Sequence, residues 1–198
     1  MAQALDFFFF PGSTYTYLTA NRIEHVAQDA GVPLRWRPFS VRAIMREMNN
    51  TPFPEGSPKT RYMWRDIERR AARYGIPFMR PSCYPVDPDQ QALRVALVAA
   101  DEGWCPSFLK ESYRAWFLDD KAPGVDVNTA EVIRAVGRNP EEVIARADTS
   151  EMHDAVLRET QAARELGIFG SPTFVVDREI FWGDDRLEDA ITFAKAGA

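Results

Sequence analysis

The strand-forming signal of this chain lies at its two ends, with about 120 residues of helical pattern between them. Residues 4–10 form a short run rich in phenylalanine and closed by Pro11-Gly12, which length and aromatic content assign to a central strand. Beyond Ser13, the residues Tyr15, Leu18, Arg22, Val26 and Ala30 recur at helical spacing until Gly31 stops them. Residues 32–39 then alternate through Leu34 and Trp36 as a second strand. A strand, helix, strand opening needs a crossover, so the first two strands are expected to pair in parallel. Strand signals return only over 173–177 and 179–182, where Asp177-Arg178 suits a tight hairpin. A last helix is expected from Asp184 or Asp185, with Leu187, Ala190, Ile191 and Ala194 on its inner face.

The long middle reads as a succession of helices. Met63, Ile67, Ala71 and Tyr74 mark one, Leu93, Ala96, Leu97 and Ala100 the next, and Leu109, Tyr113, Trp116 and Phe117 a third. Asn128 followed by Glu131, and Asn139 followed by Pro140 and Glu142, are helix starts, and a further helix spans 150–166. Residues 51–59, with three prolines and a glycine, read as a loop. The fold class is α/β, a βαβ–ββα core carrying a large all-helical insertion. The expected units are residues 1–40 with 162–198 as a discontinuous core, and 41–161 as the insertion.

Composition excludes several partners. The 24 Lys and Arg are interspersed with 29 Asp and Glu, and the net charge of −5 argues against nucleic acid and an anionic membrane surface. No stretch approaches the ~20 apolar residues of a membrane span. The opening MAQALDFFFFPGS lacks the basic start and cleavage site of a signal peptide. Cys83 and Cys105 form no CxxC pair, which fits free thiols in a reducing compartment and a cytoplasmic location. His25 and His153 have no partners at metal-ligand spacing, and neither a P-loop nor GxGxxG occurs.

Three places remain for chemistry. Ser13 stands between a central strand and the following helix, where α/β sheets bind ligands and free N–H groups favour an anion. Its hydroxyl is either a helix cap or a donor that keeps a thiolate ionised. Ser171-Pro172 stands at the mouth of the third strand. A proline there either starts a strand in the trans form or follows a cis bond that leaves the Ser171 backbone free to pair with a bound peptide. Asp184 and Asp185 follow Trp182-Gly183. Asp185 with Glu188 is a capping box, while the same pair also suits the ammonium of an amino-acid head group.

In their order along the chain these features resemble the kappa-class glutathione transferases and the 2-hydroxychromene-2-carboxylate isomerases, within the thioredoxin-like group of the DsbA proteins. The resemblance covers almost the whole chain and is strongest in FFFFPGSTYTYL, KTRYMWRD and FGSPTFVVDREIFWGDDRL. It implies a thioredoxin-like fold with glutathione as cofactor. Ser13 would contact the sulfur, Ser171 before Pro172 would pair with the cysteine residue, and Asp184 and Asp185 would hold the γ-glutamyl end, with Asp185 the better candidate for the ammonium. Asn50 matches the asparagine after the second strand, with Asn49 as the neighbouring choice, and Lys59 with Tyr62 matches a Lys-x-x-Tyr pattern. Thr14 stands where the family has proline, and Pro11 where it often has an acidic residue. The implied partner is a small aromatic substrate in a pocket of Phe53, Tyr62, Trp64 and Trp182, its carboxylate received by Lys59 or Arg61, with the chain as a homodimer. The implied activity is isomerisation of an aromatic carboxylate by transient thiolate addition. A glutathione transferase is the alternative, and a binding module without chemistry the third. Ser13 and Thr16 occupy the CxxC positions of redox relatives, and two hydroxyls cannot form a disulfide, so dithiol exchange is excluded there.

Overall fold

The computed structural model describes residues 2–197. Its sheet has four strands in the order β2-β1-β3-β4. β1 (Leu5–Phe9) pairs in parallel with β2 (Leu34–Pro38) and antiparallel with β3 (Thr173–Val176), which pairs antiparallel with β4 (Glu179–Trp182). β1 thus lies in the middle, and its phenylalanines are buried on both faces. Phe7 and Phe9 stack together and meet Trp36, while Phe8, pointing to the other side of the pleat, meets Phe39. The hairpin between β3 and β4 turns on Asp177 and Arg178, both at positive φ (47° and 69°), as a two-residue type I′ turn requires.

The crossover from β1 to β2 is not one helix but two, α1 (Thr16–Ala20) and α2 (Ile23–Ala30). The apolar spacing of Leu18 and Val26 carries across the break, so periodicity alone could not reveal it. After β2 come α3 (Val41–Glu47), α4 (Pro58–Tyr74), α5 (Gln91–Asp101), α6 (Cys105–Asp119), α7 (Asp126–Ala135), α8 (Pro140–Ala147) and α9 (Ser150–Leu166). Side-chain caps start four of these: Ser40 at α3, Ser57 at α4, Asn139 at α8 and Thr149 at α9. The helix start expected with Asn128 as its cap falls three residues earlier, at Val125. Asn128 lies inside α7 and turns its amide to the carbonyl of Ala122. Every strand among the described residues lies within 5–38 or 173–182, and α9 runs unbroken across position 161.

The last helix, α10 (Leu187–Ala196), follows a single 3₁₀ turn at Asp184–Arg186 and packs on β1, β3, β4 and α2. The Asp185–Glu188 capping box does not form: Asp185 pairs with Arg186 at 2.8 Å, and Glu188 is taken by Arg22. One connected core runs from the sheet phenylalanines through Tyr113, Trp116 and Phe117 of α6 to α5, α8 and α9. Among the described residues, no helix is long and apolar enough to cross a membrane.

Candidate active site

The segment leaving the carboxyl end of β1 is laced to the entrance of β3 by side-chain hydrogen bonds. Ser13 Oγ donates to the Ser171 carbonyl at 2.8 Å. The Phe10 amide donates to Ser171 Oγ at 3.0 Å, and Thr16 Oγ1 lies 3.0 Å from the same hydroxyl. Both hydroxyls at the CxxC positions thus turn toward Ser171. Ser13 does not cap α1, whose N-cap residue is Tyr15 and makes no side-chain cap bond. The hydroxyl is therefore spent on tertiary structure, and one rotation about its χ1 frees both it and the Ser171 carbonyl for a ligand. The Ser171–Pro172 bond is cis.

Beneath the segment, Tyr113 of α6 is fully buried and its hydroxyl donates to the carbonyls of Ser13 (2.8 Å) and Phe10 (3.3 Å). Burial pushes its pKa well above that of a free tyrosine, so it remains a donor. Nothing near Tyr113 in the sequence announces this role. Its helical spacing with Trp116 and Phe117 marks it only as a core residue.

Ser13 opens on a cavity of about 250 Å³. Ser13, Asn50, Phe53, Ser171 and Trp182 all line it, drawn from segments up to 169 residues apart. Trp182 and Phe169 form an exposed aromatic pair, edge to face at 4.8 Å. Gly170 permits it: a Cβ there would lie 2.1 Å from Trp182 Nε1. Lys59 is outside the lining, with Nζ 5.7 Å from the centre of the Phe53 ring. Asn49, at positive φ, is not in the lining either.

Tyr62 and Trp64 are not brought to the cavity. Both flank Met63, which lines it, and each is turned about 100° from Met63 around α4. Tyr62 projects to solvent, and Trp64 is buried against Tyr84 and Phe117 beside a separate groove shared with Arg61. Arg61 donates to the Gly56 carbonyl. The lining residues missed in the sequence include Arg42, Met45, Met63 and Phe169. Met63 was legible as the inner face of its helix, but that spacing does not separate a core wall from a cavity wall. Cys83 is exposed and Cys105 buried, and neither lines the cavity.

Just past Trp182, where β4 ends, the two aspartates part. Asp184 is buried, pairs with Arg70 at 2.6 Å and accepts from Thr19 Oγ1 at 3.3 Å. Burial pushes its pKa up to about 6 against the pull of Arg70 and Arg22. Asp185 is half exposed, and its bond to Arg186 holds its pKa below the usual value.

Sheet, cavity and paired hydroxyls together define a thioredoxin-fold protein whose site at the end of the first strand holds hydroxyls where a dithiol would stand. The chain belongs to the DSBA-like thioredoxin domain family, whose model matches residues 4–192. It is similar to the 2-hydroxychromene-2-carboxylate isomerase of Sphingobium xenophagum, with 27% identity covering 95% of this chain and 96% of that one. It is also similar to glutathione S-transferase kappa 1 of Caenorhabditis elegans, with 26% identity covering 92% of this chain and 87% of that one. A solved structure of 2-hydroxychromene-2-carboxylate isomerase shares the fold, with a TM-score of 0.85, 23% identity, and coverage of 98% of this chain and 95% of that chain.

Proposed function

We propose that this chain is a glutathione-dependent isomerase of an aromatic carboxylate, with 2-hydroxychromene-2-carboxylate as the type of substrate. The observation that carries the reading is the Ser13 hydroxyl, held 2.8 Å from the Ser171 carbonyl at the edge of an apolar cavity. Names borne by relatives over nearly the whole chain support it: isomerases of that substrate, and kappa-class glutathione transferases. The residues fit such a tripeptide. The site offers one rotatable hydroxyl donor for a sulfur and one backbone carbonyl for an amide, and Asp185, outside the cavity lining, presents a half-exposed carboxylate for an ammonium.

Held by Ser13, Ser171 and Asn50, glutathione would supply a thiol nucleophile for reversible addition to the substrate. Ser13 donates to that sulfur and favours its ionised form. Ser171 accepts from the tripeptide backbone, and Asn50 supplies a polar contact across the cavity. Phe53, Trp182 and the other aromatic walls exclude water and hold the substrate ring at the sulfur. A transferase shares every one of these steps except release of the thiol, and net consumption of glutathione separates the two.

The test is Ser13→Ala. The thiol of bound glutathione should titrate at higher pH in the variant, and turnover should fall about ten-fold or more, the scale of one lost charge-assisted hydrogen bond at ~1.5–3 kcal/mol. Identical thiol titration in parent and variant would remove Ser13 from this role.

A further inference from the structure

Arg42, on α3, is the single charged side chain among the residues lining the cavity. Its walls are otherwise hydroxyls, one amide, and apolar or aromatic groups such as Val41, Met45, Phe53 and Met63. The guanidinium is half-buried and lies 4.8 Å from the centre of the Phe10 ring. Nη1 donates to the Asp87 carbonyl at 2.9 Å and Nη2 to the Val86 carbonyl. Among the described residues no carboxylate lies within ion-pair distance of it. The nearby Asp87 carboxylate accepts instead from the amides of Ala92 and Leu93. Two neutral acceptors thus fix the plane of the group, and the Asp87 carboxylate attracts it only from beyond ion-pair contact. Burial pulls the Arg42 pKa down and outweighs the attraction of Asp87.

We propose that Arg42 receives the carboxylate of the ligand that fills this cavity and selects anionic over neutral aromatic ligands. A guanidinium has five N–H donors, and its two bonds to the 86–87 backbone leave others for a carboxylate. In an apolar cavity an arriving anion meets little competition from water, so one such pair discriminates strongly. Lys59 and Arg61, the cations first suggested by the sequence, have no such position: neither lines the cavity, and Arg61 borders another groove. A carboxylate here has two sources, an aromatic acid or the glycyl end of glutathione, and the experiment separates them. The proposal rests on the reading of this cavity as the ligand site, but it needs neither a thiol nor turnover.

Calorimetry on the full chain would compare cinnamate with cinnamamide, and glutathione with its glycyl monoethyl ester, for the parent, Arg42→Met and Arg42→Lys. The parent should prefer cinnamate by about ten-fold or more. Arg42→Met should lose that preference while keeping its affinity for cinnamamide, which also reports that it is folded. Arg42→Lys should keep part of it, since the charge remains and the fork does not. If instead the Met variant weakens glutathione and leaves the ester unchanged, the carboxylate is the tripeptide's. A Met variant that discriminates within both pairs as the parent does overturns the proposal. So does a parent with no preference in either pair, a result that depends on no variant. Activity that proved independent of glutathione would defeat the proposed reaction and leave this assignment standing.

Discussion

Asp184 and Asp185 are neighbours with opposite surroundings, and the difference decides which of them can meet a ligand. Asp184 is 1% exposed and spends its carboxylate on Arg70 and Thr19. Asp185 faces solvent beside Gly183, whose φ of 111° lets the backbone pass close to it. If Asp185 holds the ammonium of glutathione, Asp185→Asn should weaken glutathione binding by about ten-fold or more. The melting temperature should stay unchanged, because no helix cap is lost: α10 has no side-chain cap to break. Unaltered glutathione affinity in this variant would withdraw Asp185 from the site.

At the scale of elements, the β3–β4 hairpin delivers Trp182 to the cavity and Asp184 to the closing turn. Its turn residues were legible only in part. Asp177-Arg178 was readable as a tight hairpin turn, but not that Arg178 must adopt φ of 69°, which costs a side-chain-bearing residue energy that glycine escapes. Arg178→Gly should therefore stabilise the protein by about 1 kcal/mol. A scanning measurement should show this as a rise of roughly 2–4 °C in melting temperature. A fall would mean that the Arg178 side chain makes a stabilising interaction beyond the turn. The paired short helices α1 and α2 teach the complementary lesson. Apolar spacing continues across Asn21-Arg22, while the Asn21 amide bonds back to the Tyr17 carbonyl and Arg22 pairs with Glu188 and stacks on Tyr74 at the break.

For the molecule as a whole, the Asp184–Arg70 pair ties the closing segment to α4, the long helix that also carries Met63 into the cavity wall. Its pH dependence has a definite sign. Asp184 titrates at about 6 in the folded protein, above the ordinary carboxylate value near 4, because burial outweighs its arginine neighbours. Between those values the folded chain holds a proton that the unfolded chain has released. The contribution of Asp184 to stability is therefore greatest below pH ~4 and declines as pH rises through ~6, by up to roughly 3 kcal/mol. Carboxylates such as Glu47 and Glu102, whose pKa values are lowered by hydrogen bonds to Arg164 and Trp104, act in the opposite sense. The quantity to measure is thus the difference in unfolding free energy between the parent and Asp184→Asn. The parent should lose ground to the variant from about pH 4 to about pH 7. A difference independent of pH would show that Asp184 titrates normally.

The order of elements, the central place of the phenylalanine strand, the confinement of strands to the chain ends and the exclusion of dithiol chemistry followed from the sequence. They depend on short-range periodicity, turn chemistry and residue type, which a linear chain carries in full. Ser13, Asn50, Phe53, Ser171 and Trp182 were legible as site candidates through motif order, and the fold gathers them around one cavity. The tertiary structure alone decided that Tyr62 and Trp64 stay outside the cavity, that Asp184 is buried while Asp185 is not, that Tyr113 holds the Ser13 carbonyl and that Arg42 lines the cavity. Whether a helix face meets a core, a cavity or solvent is set by the elements packed against it. One step of 100° along α4 separates a cavity wall from a solvated tyrosine, and no local pattern records which neighbour will stand there.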